Sequence, residues 1–182
     1  MTMPLIEIHS LTPQTRLGLW RMEDSIAKPR QRERQAEQEL LMAMTGDSQL
    51  SIGHEPSGKP VLNVPLFISI SHTRGYVSML LSTTDRVGVD IEYRSDRVEQ
   101  IASRFIRPDE QAPTVMDKLL LWSAKEAVYK LFSEDRLMFF DMQVLSIGDH
   151  VLCMRNLKRN IVVDVFYEFT DDYVLTYVTA PL

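Results

Sequence analysis

The six residues "VGVDIE", Val87 to Glu92, decide how the chain is read. Two valines and an isoleucine in strict alternation with Gly88, Asp90 and Glu92 predict a β-strand. Successive side chains of a strand point to opposite faces, so Val87, Val89 and Ile91 take one face and Gly88, Asp90 and Glu92 the other. The two carboxylates are then neighbours, their Cα atoms about 6.5–7 Å apart, with open space beside Asp90 where Gly88 has no side chain. Like charges this close raise each other's pKa unless a cation neutralises them. An all-oxygen pair suits Mg²⁺, which binds through a few carboxylates together with phosphate and water. On these six residues alone, an amphipathic strand with its polar face in water is the commoner reading.

Further along, "VMDKLLLWSAKEAVYKLF" (Val115 to Phe132) predicts a helix, with Thr114 and Asp117 spaced as a capping box at its start. At about 100° per residue, Met116, Leu120, Leu121, Ala124, Ala127, Val128 and Leu131 form a broad apolar side. Glu126 falls on the other side, almost in line with Leu119 and near Val115, and Lys130 lies one turn above it. An acid with apolar neighbours is costly unless it is paired or coordinated. A plain Glu126–Lys130 pair at i,i+4 is the competing reading. Lys125 lies near Lys118, where solvent alone would satisfy it.

Around these two segments, "PLIEIH" and "TRLGLWRM" read as a pair of strands, and "AKPRQRERQAEQELLMAMTG" as a long helix stopped by Gly46. "LFISIS" and "YVSMLLS" flank the polar "HTRG" as a hairpin or tight loop. "DRVEQIASRFI" reads as a short helix ending before Pro108. "MQVLSI", "NIVVDVFYEF" and "YVLTYVT" follow the second long helix as strands. A helix followed by a meander occurs in both parts of the chain. This order predicts an α+β fold of two pseudo-symmetric halves, residues 1–92 and 93–182, each a long helix packed on a mainly antiparallel sheet.

The 182 residues, 45% hydrophobic and 25% charged, suit one large domain or two small halves with a real core. A net charge of −5 argues against nucleic acid as partner. The single cysteine, Cys153, excludes an intramolecular disulfide and fits a reducing compartment. The opening "MTMPLIEIHS" lacks the basic and apolar regions of a secretory signal, and no apolar run approaches the ~18 residues of a membrane helix. The expected location is the cytoplasm. His9, His54 and His150 show no partner pattern, and one cysteine with scattered histidines lacks zinc-ligand spacing. Phosphate-loop, dinucleotide and nucleophile-elbow motifs are absent. "SGKP" (Ser57 to Pro60) places Lys59 in a glycine-opened turn suited to a phosphate contact. "SISHT" places Ser71 and His72 at a strand end, within range of a ligand phosphate. Each is also ordinary as a turn or capping composition.

Taken in order, GKP, ISISHT, VGVDIE and WSAKEAVYK resemble the signature of the 4′-phosphopantetheinyl transferases, specifically the larger pseudo-dimeric class that activates carrier proteins. "GVDIE" matches the family's small-residue–Asp–x–Glu strand, and "WSAKEAVYK" its W/F-S-x-K-E-A/S-x-x-K helix. "ASRFIRPDE" is similar to its Arg-Phe-Phe…Glu segment. The likeness spans roughly Ser57 to Leu145.

That resemblance implies transfer of 4′-phosphopantetheine from coenzyme A to a serine of an apo carrier protein, with release of 3′,5′-ADP, in a cleft between the two halves. It implies Mg²⁺ held by Asp90, Glu92 and Glu126, and phosphate contacts from Lys130 and Lys125. Lys59, Ser71 and His72 would bind the nucleotide end, and Glu126 would accept the serine proton, with Lys130 as its rival. A pseudo-dimeric chain builds its cleft without a second subunit, so a monomer is expected. Carrier proteins are acidic, and Arg94, Arg97, Arg104 and Arg107 form a basic stretch for docking one, with a solvated face as the bland alternative. Relatives usually carry Arg or Lys just before the Leu-Leu pair of the first long helix, where this chain has "AEQELL". They often have glycines after the second helix, where it has "LFSEDRLMFFD". These departures keep a second reading in view, a catalytically weak relative that binds coenzyme A or a carrier protein. An unrelated Mg²⁺ phosphotransferase or nuclease is disfavoured by the negative charge and the coherent motif order.

Overall fold

The computed structural model describes residues 6–22 and 29–182. The fold is α+β. Strands β1 (Ile6–Ser10) and β2 (Thr15–Arg21) pair as a hairpin; α1 (Pro29–Thr45) follows. The first residues of the expected opening strand, from Pro4, and of the expected first helix, from Ala27, lie outside the described residues. Helix α1 stops at Gly46, whose φ of 73° suits a residue without a Cβ and whose N–H closes on Met42 O. A short hairpin of β3 (Ile52–His54) and β4 (Pro60–Leu62) comes next, then β5 (Phe67–Thr73) and β6 (Tyr76–Ser82), joined by the tight turn expected at "HTRG". The order β1-β2-β6-β5 makes the first sheet.

Strand β7 (Asp85–Tyr93) carries "VGVDIE" and pairs with β11 (Tyr173–Pro181), at the edge of a second sheet ordered β7-β11-β10-β9-β8. Its other members are β8 (Met142–Ile147), β9 (Val151–Asn156) and β10 (Ile161–Phe169). All ladders are antiparallel. Between β7 and β8 lie a 3-10 helix (Asp96–Arg104) and helix α2 (Val115–Leu131). The expected short helix is 3-10 in hydrogen bonding, opened by the Ser95 side chain accepting from Arg97 N–H. The capping box at Thr114 and Asp117 is formed as expected. Sequence reading missed the β3–β4 pair and β9. In β9, Leu152, Met154 and Asn156 alternate inward, but Asn156 and Arg155 disguise the pattern.

Three apolar clusters stack these elements in layers. Ala36, Leu40, Leu41 and Met44 of α1 bury against Trp20, Ile68, Val77, Met79 and Leu81 on one face of the first sheet. Each large side chain so buried contributes about 1.5–3 kcal/mol. Leu17, Leu19 and Leu80, on the opposite face, meet Val87, Val89, Ile91 and Leu175 of the second sheet. Helix α2 covers the other face of that sheet through Leu120, Ala124, Ala127, Val128 and Leu131. The order of layers is α1, first sheet, second sheet, α2. Among the described residues no helix is long and apolar enough to cross a membrane.

Candidate functional site

The site is built where the edge strand of each sheet meets the other. β5 and β7 share no backbone ladder; alternate hydroxyls of "SISHT" bridge them instead. Ser69 Oγ accepts from Val89 N–H at 3.0 Å, and Thr73 Oγ1 accepts from Tyr93 N–H at 2.9 Å. Between them Ser71 Oγ donates to Asp90 Oδ1 at 2.9 Å. Edge strands leave N–H groups unpaired, and a buried one needs a partner. The serines and threonine supply it, and Asp90 is fixed in the bargain.

Asp90 is buried, and α2 closes over it. The approach is set by Gly88: a Cβ there would lie 2.1 Å from Ala127 O and 3.0 Å from Leu131 N. Helix backbone therefore rests directly on strand backbone, a spacing that only glycine permits. Across that contact Trp122, Ser123 and Lys130 of "WSAKEAVYK" each reach a different partner. Trp122 Nε1 donates to Glu92 Oε1 at 2.8 Å. Ser123 and Thr176, the latter opposite Asp90 in the sheet, share a buried hydroxyl bond of 2.9 Å. Lys130 Nζ donates to Asp90 Oδ1 and Val89 O, both at 2.9 Å. The i,i+4 pair of Glu126 with Lys130 is thus replaced by a cross-element bond from Lys130 to Asp90.

Burial, and then the charge of Asp90, push Glu92 up to about 7, against the smaller opposing effect of the Trp122 bond. The same two causes raise Glu126 above the ordinary carboxylate range. Asp90 Oδ2 is buried with no hydrogen-bond partner. Three acids therefore share one low-dielectric region with a single ammonium, Lys130, which is short of cationic charge. Among the described residues no three potential ligands stand close enough to form a ready-made metal site. The orphaned oxygen and the raised carboxyls nonetheless fit a hard cation, which takes oxygen ligands.

Lys125 is corrected. Instead of facing solvent or a phosphate it is fully buried, with Nζ 2.6 Å from Phe105 O and 2.7 Å from Glu110 Oε2. Glu110 in turn accepts from Arg107 N–H and Val144 N–H. The segment between β7 and α2 wraps over the side of the helix where solvent was expected, so that side is enclosed too. Burial lowers the Lys125 pKa, with Glu110 opposing. The acid that holds it sits in "ASRFIRPDE", quoted for its likeness but not read as a partner.

His72 does not join the acids. Its Nε2 lies 2.5 Å from Glu37 Oε1 of α1, in the stretch "AEQELL". Lys59 follows the β3–β4 turn, where Gly58 has a φ of 88°. It lines a cavity of 280 Å³ shared with Lys130 and with Arg86, a residue that sequence reasoning passed over. The signal for Arg86 was the strand period, which puts it on the face of Gly88, Asp90 and Glu92. Of the expected docking arginines, Arg107 is engaged by Asp109 and Phe140 O, and Arg94 by Thr170 O. Arg97 and Arg104 are exposed.

Acids from a strand and a facing helix thus gather around Lys130, beside a cavity that Lys59 and Arg86 also line. The model of the 4′-phosphopantetheinyl transferase superfamily matches residues 86–178, just over half of the 182-residue chain. The chain belongs to that superfamily. A comparison with curated proteins finds no match.

Proposed function

We propose that the chain is a Mg²⁺-dependent enzyme of the pseudo-dimeric class that transfers 4′-phosphopantetheine from coenzyme A to a serine of an apo acyl or peptidyl carrier protein. The observation that carries this reading is the under-neutralised acid set of buried Asp90 with half-buried Glu92 and Glu126, beside Lys130, which also lines the cavity of Lys59 and Arg86. Asp90, Glu92 and Glu126 would hold the Mg²⁺, which supplies charge neutralisation at the diphosphate and its leaving oxygen.

The rest is done by the chain's own residues. Lys130 neutralises a phosphate oxygen, exchanging part of its bond to Asp90. Lys59 receives the nucleotide end, and Ser71 holds Asp90 in place. His72, whose ring is held by Glu37, stands at the end of β5 beside them. The serine Oγ attacks phosphorus, the bond from phosphorus to the oxygen of 3′,5′-ADP breaks, and the serine proton goes to Glu126. Burial raises that carboxyl toward the working pH, which makes it the better base of the pair with Lys130. In such a transfer, positioning and electrostatics do most of the catalysis. Arg97 and Arg104, with the Arg94 backbone region, form the docking face for an acidic carrier, whether of fatty-acid, polyketide or peptide type.

Apo carriers of the three types, incubated with the protein, coenzyme A and Mg²⁺ and weighed by mass spectrometry, test the reading. A serine-linked phosphopantetheine gain on at least one is the expected result. Binding of coenzyme A without any gain would favour the weak-relative reading. Charge reversal at Arg97 and Arg104 raises the KM for carrier and leaves coenzyme A affinity alone; an unchanged KM rules out that docking face.

A further inference from the structure

The 280 Å³ cavity lies between the β3–β4 hairpin, β5, β7 and the end of α2. Three cations border it, Lys59, Arg86 and Lys130. Lys130 is committed to Asp90 and Val89. Among the described residues the side chains of Arg86 and Lys59 make no hydrogen bond or ion pair, although Glu55 and Glu134 border the same cavity. Both cations are half-buried. A half-buried guanidinium without a partner has given up part of its hydration for nothing in return. Its planar fork matches the oxygens of a phosphate better than any other side chain.

Position along the strand narrows the ligand. Arg86 lies four residues before Asp90 on the same face of β7, about 13 Å at the strand rise. The two side chains therefore meet different parts of a long ligand lying along the strand. Leu66, Phe67 and Ile68 also line the cavity and offer apolar surface to a heteroaromatic base.

We infer that Arg86, together with Lys59, grips the nucleotide end of coenzyme A, a contact outside the acid-strand motif. The inference rests on the reaction proposed above. It makes β7 a ruler: Arg86 fixes the nucleotide while Asp90 and Glu92 serve the diphosphate.

Isothermal titration of the full chain with coenzyme A, 3′,5′-ADP and 4′-phosphopantetheine, for the wild type, Arg86→Ala and Arg86→Lys, tests it. Arg86→Ala weakens coenzyme A and 3′,5′-ADP by roughly ten- to a hundred-fold, the range of a lost charge-assisted bond, and leaves 4′-phosphopantetheine unchanged. It also flattens the salt dependence of coenzyme A binding, and Arg86→Lys recovers part of both. Should the alanine variant unfold, Arg86→Gln, which keeps the aliphatic stem, carries the same expectation. Arg86→Ala binding coenzyme A as tightly as the wild type overturns the inference alone. Equal loss of all three probes overturns it as well. A wild type that binds none of them overturns both the inference and the reaction beneath it.

Discussion

Each of the two long helices lies over a strand glycine, and the two contacts differ in kind. Under α1, a Cβ at Gly18 would meet the side-chain tips of Met44 at 2.5 Å and Leu40 at 2.9 Å. Under α2, a Cβ at Gly88 would meet backbone, Ala127 O at 2.1 Å. Side-chain tips can swing aside; a helix carbonyl cannot. The helix–strand pair that holds the acids, α2 on β7, is therefore the one whose spacing is set by backbone. That distance fixes where Glu126 and Lys130 stand over Asp90. The β3–β4 hairpin and the end of β5 carry the half-buried Lys59 and the partly exposed His72, and the superfamily match begins only at residue 86.

The polar pairs make the same contrast and give the largest expected effect. Lys125 and Glu110 are wholly buried, whereas His72 in the Glu37 pair keeps a side chain 31% exposed. Glu110→Gln leaves an uncompensated buried ammonium and costs about 3–5 kcal/mol in urea unfolding. Glu37→Gln costs no more than about 1 kcal/mol. Equal costs would break the distinction between the two pairs. Next in size, Gly88→Ala destabilises by about 3 kcal/mol or more because the helix must lift, while Gly18→Ala costs nearer 1 kcal/mol. The Gly88 variant also loses activity beyond its loss of stability, which a thermal-shift and kcat comparison separates.

A smaller effect is the pH dependence. Glu92 is raised from its ordinary 4.5 to about 7, and Glu126 moves the same way. The folded state then binds more protons than the unfolded one between these values. The contribution is full below pH 4.5 and lost as pH rises through about 7, so stability falls across that window. Glu92→Gln flattens the fall. Trp122→Phe, which removes the bond that lowers Glu92, moves it to higher pH. Mg²⁺ added above pH 7 restores stability in the wild type. A wild type whose stability rises through the window contradicts the charge balance assigned to the acids.

Much of this was legible in the sequence because β7 and α2 obey simple periods. Alternation in "VGVDIE" put Gly88, Asp90 and Glu92 on one face, and the Thr114–Asp117 box marked the start of α2. Legibility failed where a contact came from distant chain. Lys125 read as solvated because a helical wheel does not know that residues 96–114 fold back over it. The contact of His72 with Glu37 was not readable because Glu37 lies 35 residues earlier in another element. The hydroxyl seam of Ser69, Ser71 and Thr73 was visible as alternation, but its purpose, satisfying the edge of β7, required knowing that two sheet edges meet.

The central claim is that Asp90 anchors a metal-dependent transfer site. It is tested most directly by mass spectrometry of an apo carrier after incubation with coenzyme A, Mg²⁺ and either wild type or Asp90→Asn, both verified as folded. The account predicts a serine-linked phosphopantetheine gain with the wild type and none with Asp90→Asn. Wild-type turnover by Asp90→Asn would contradict it.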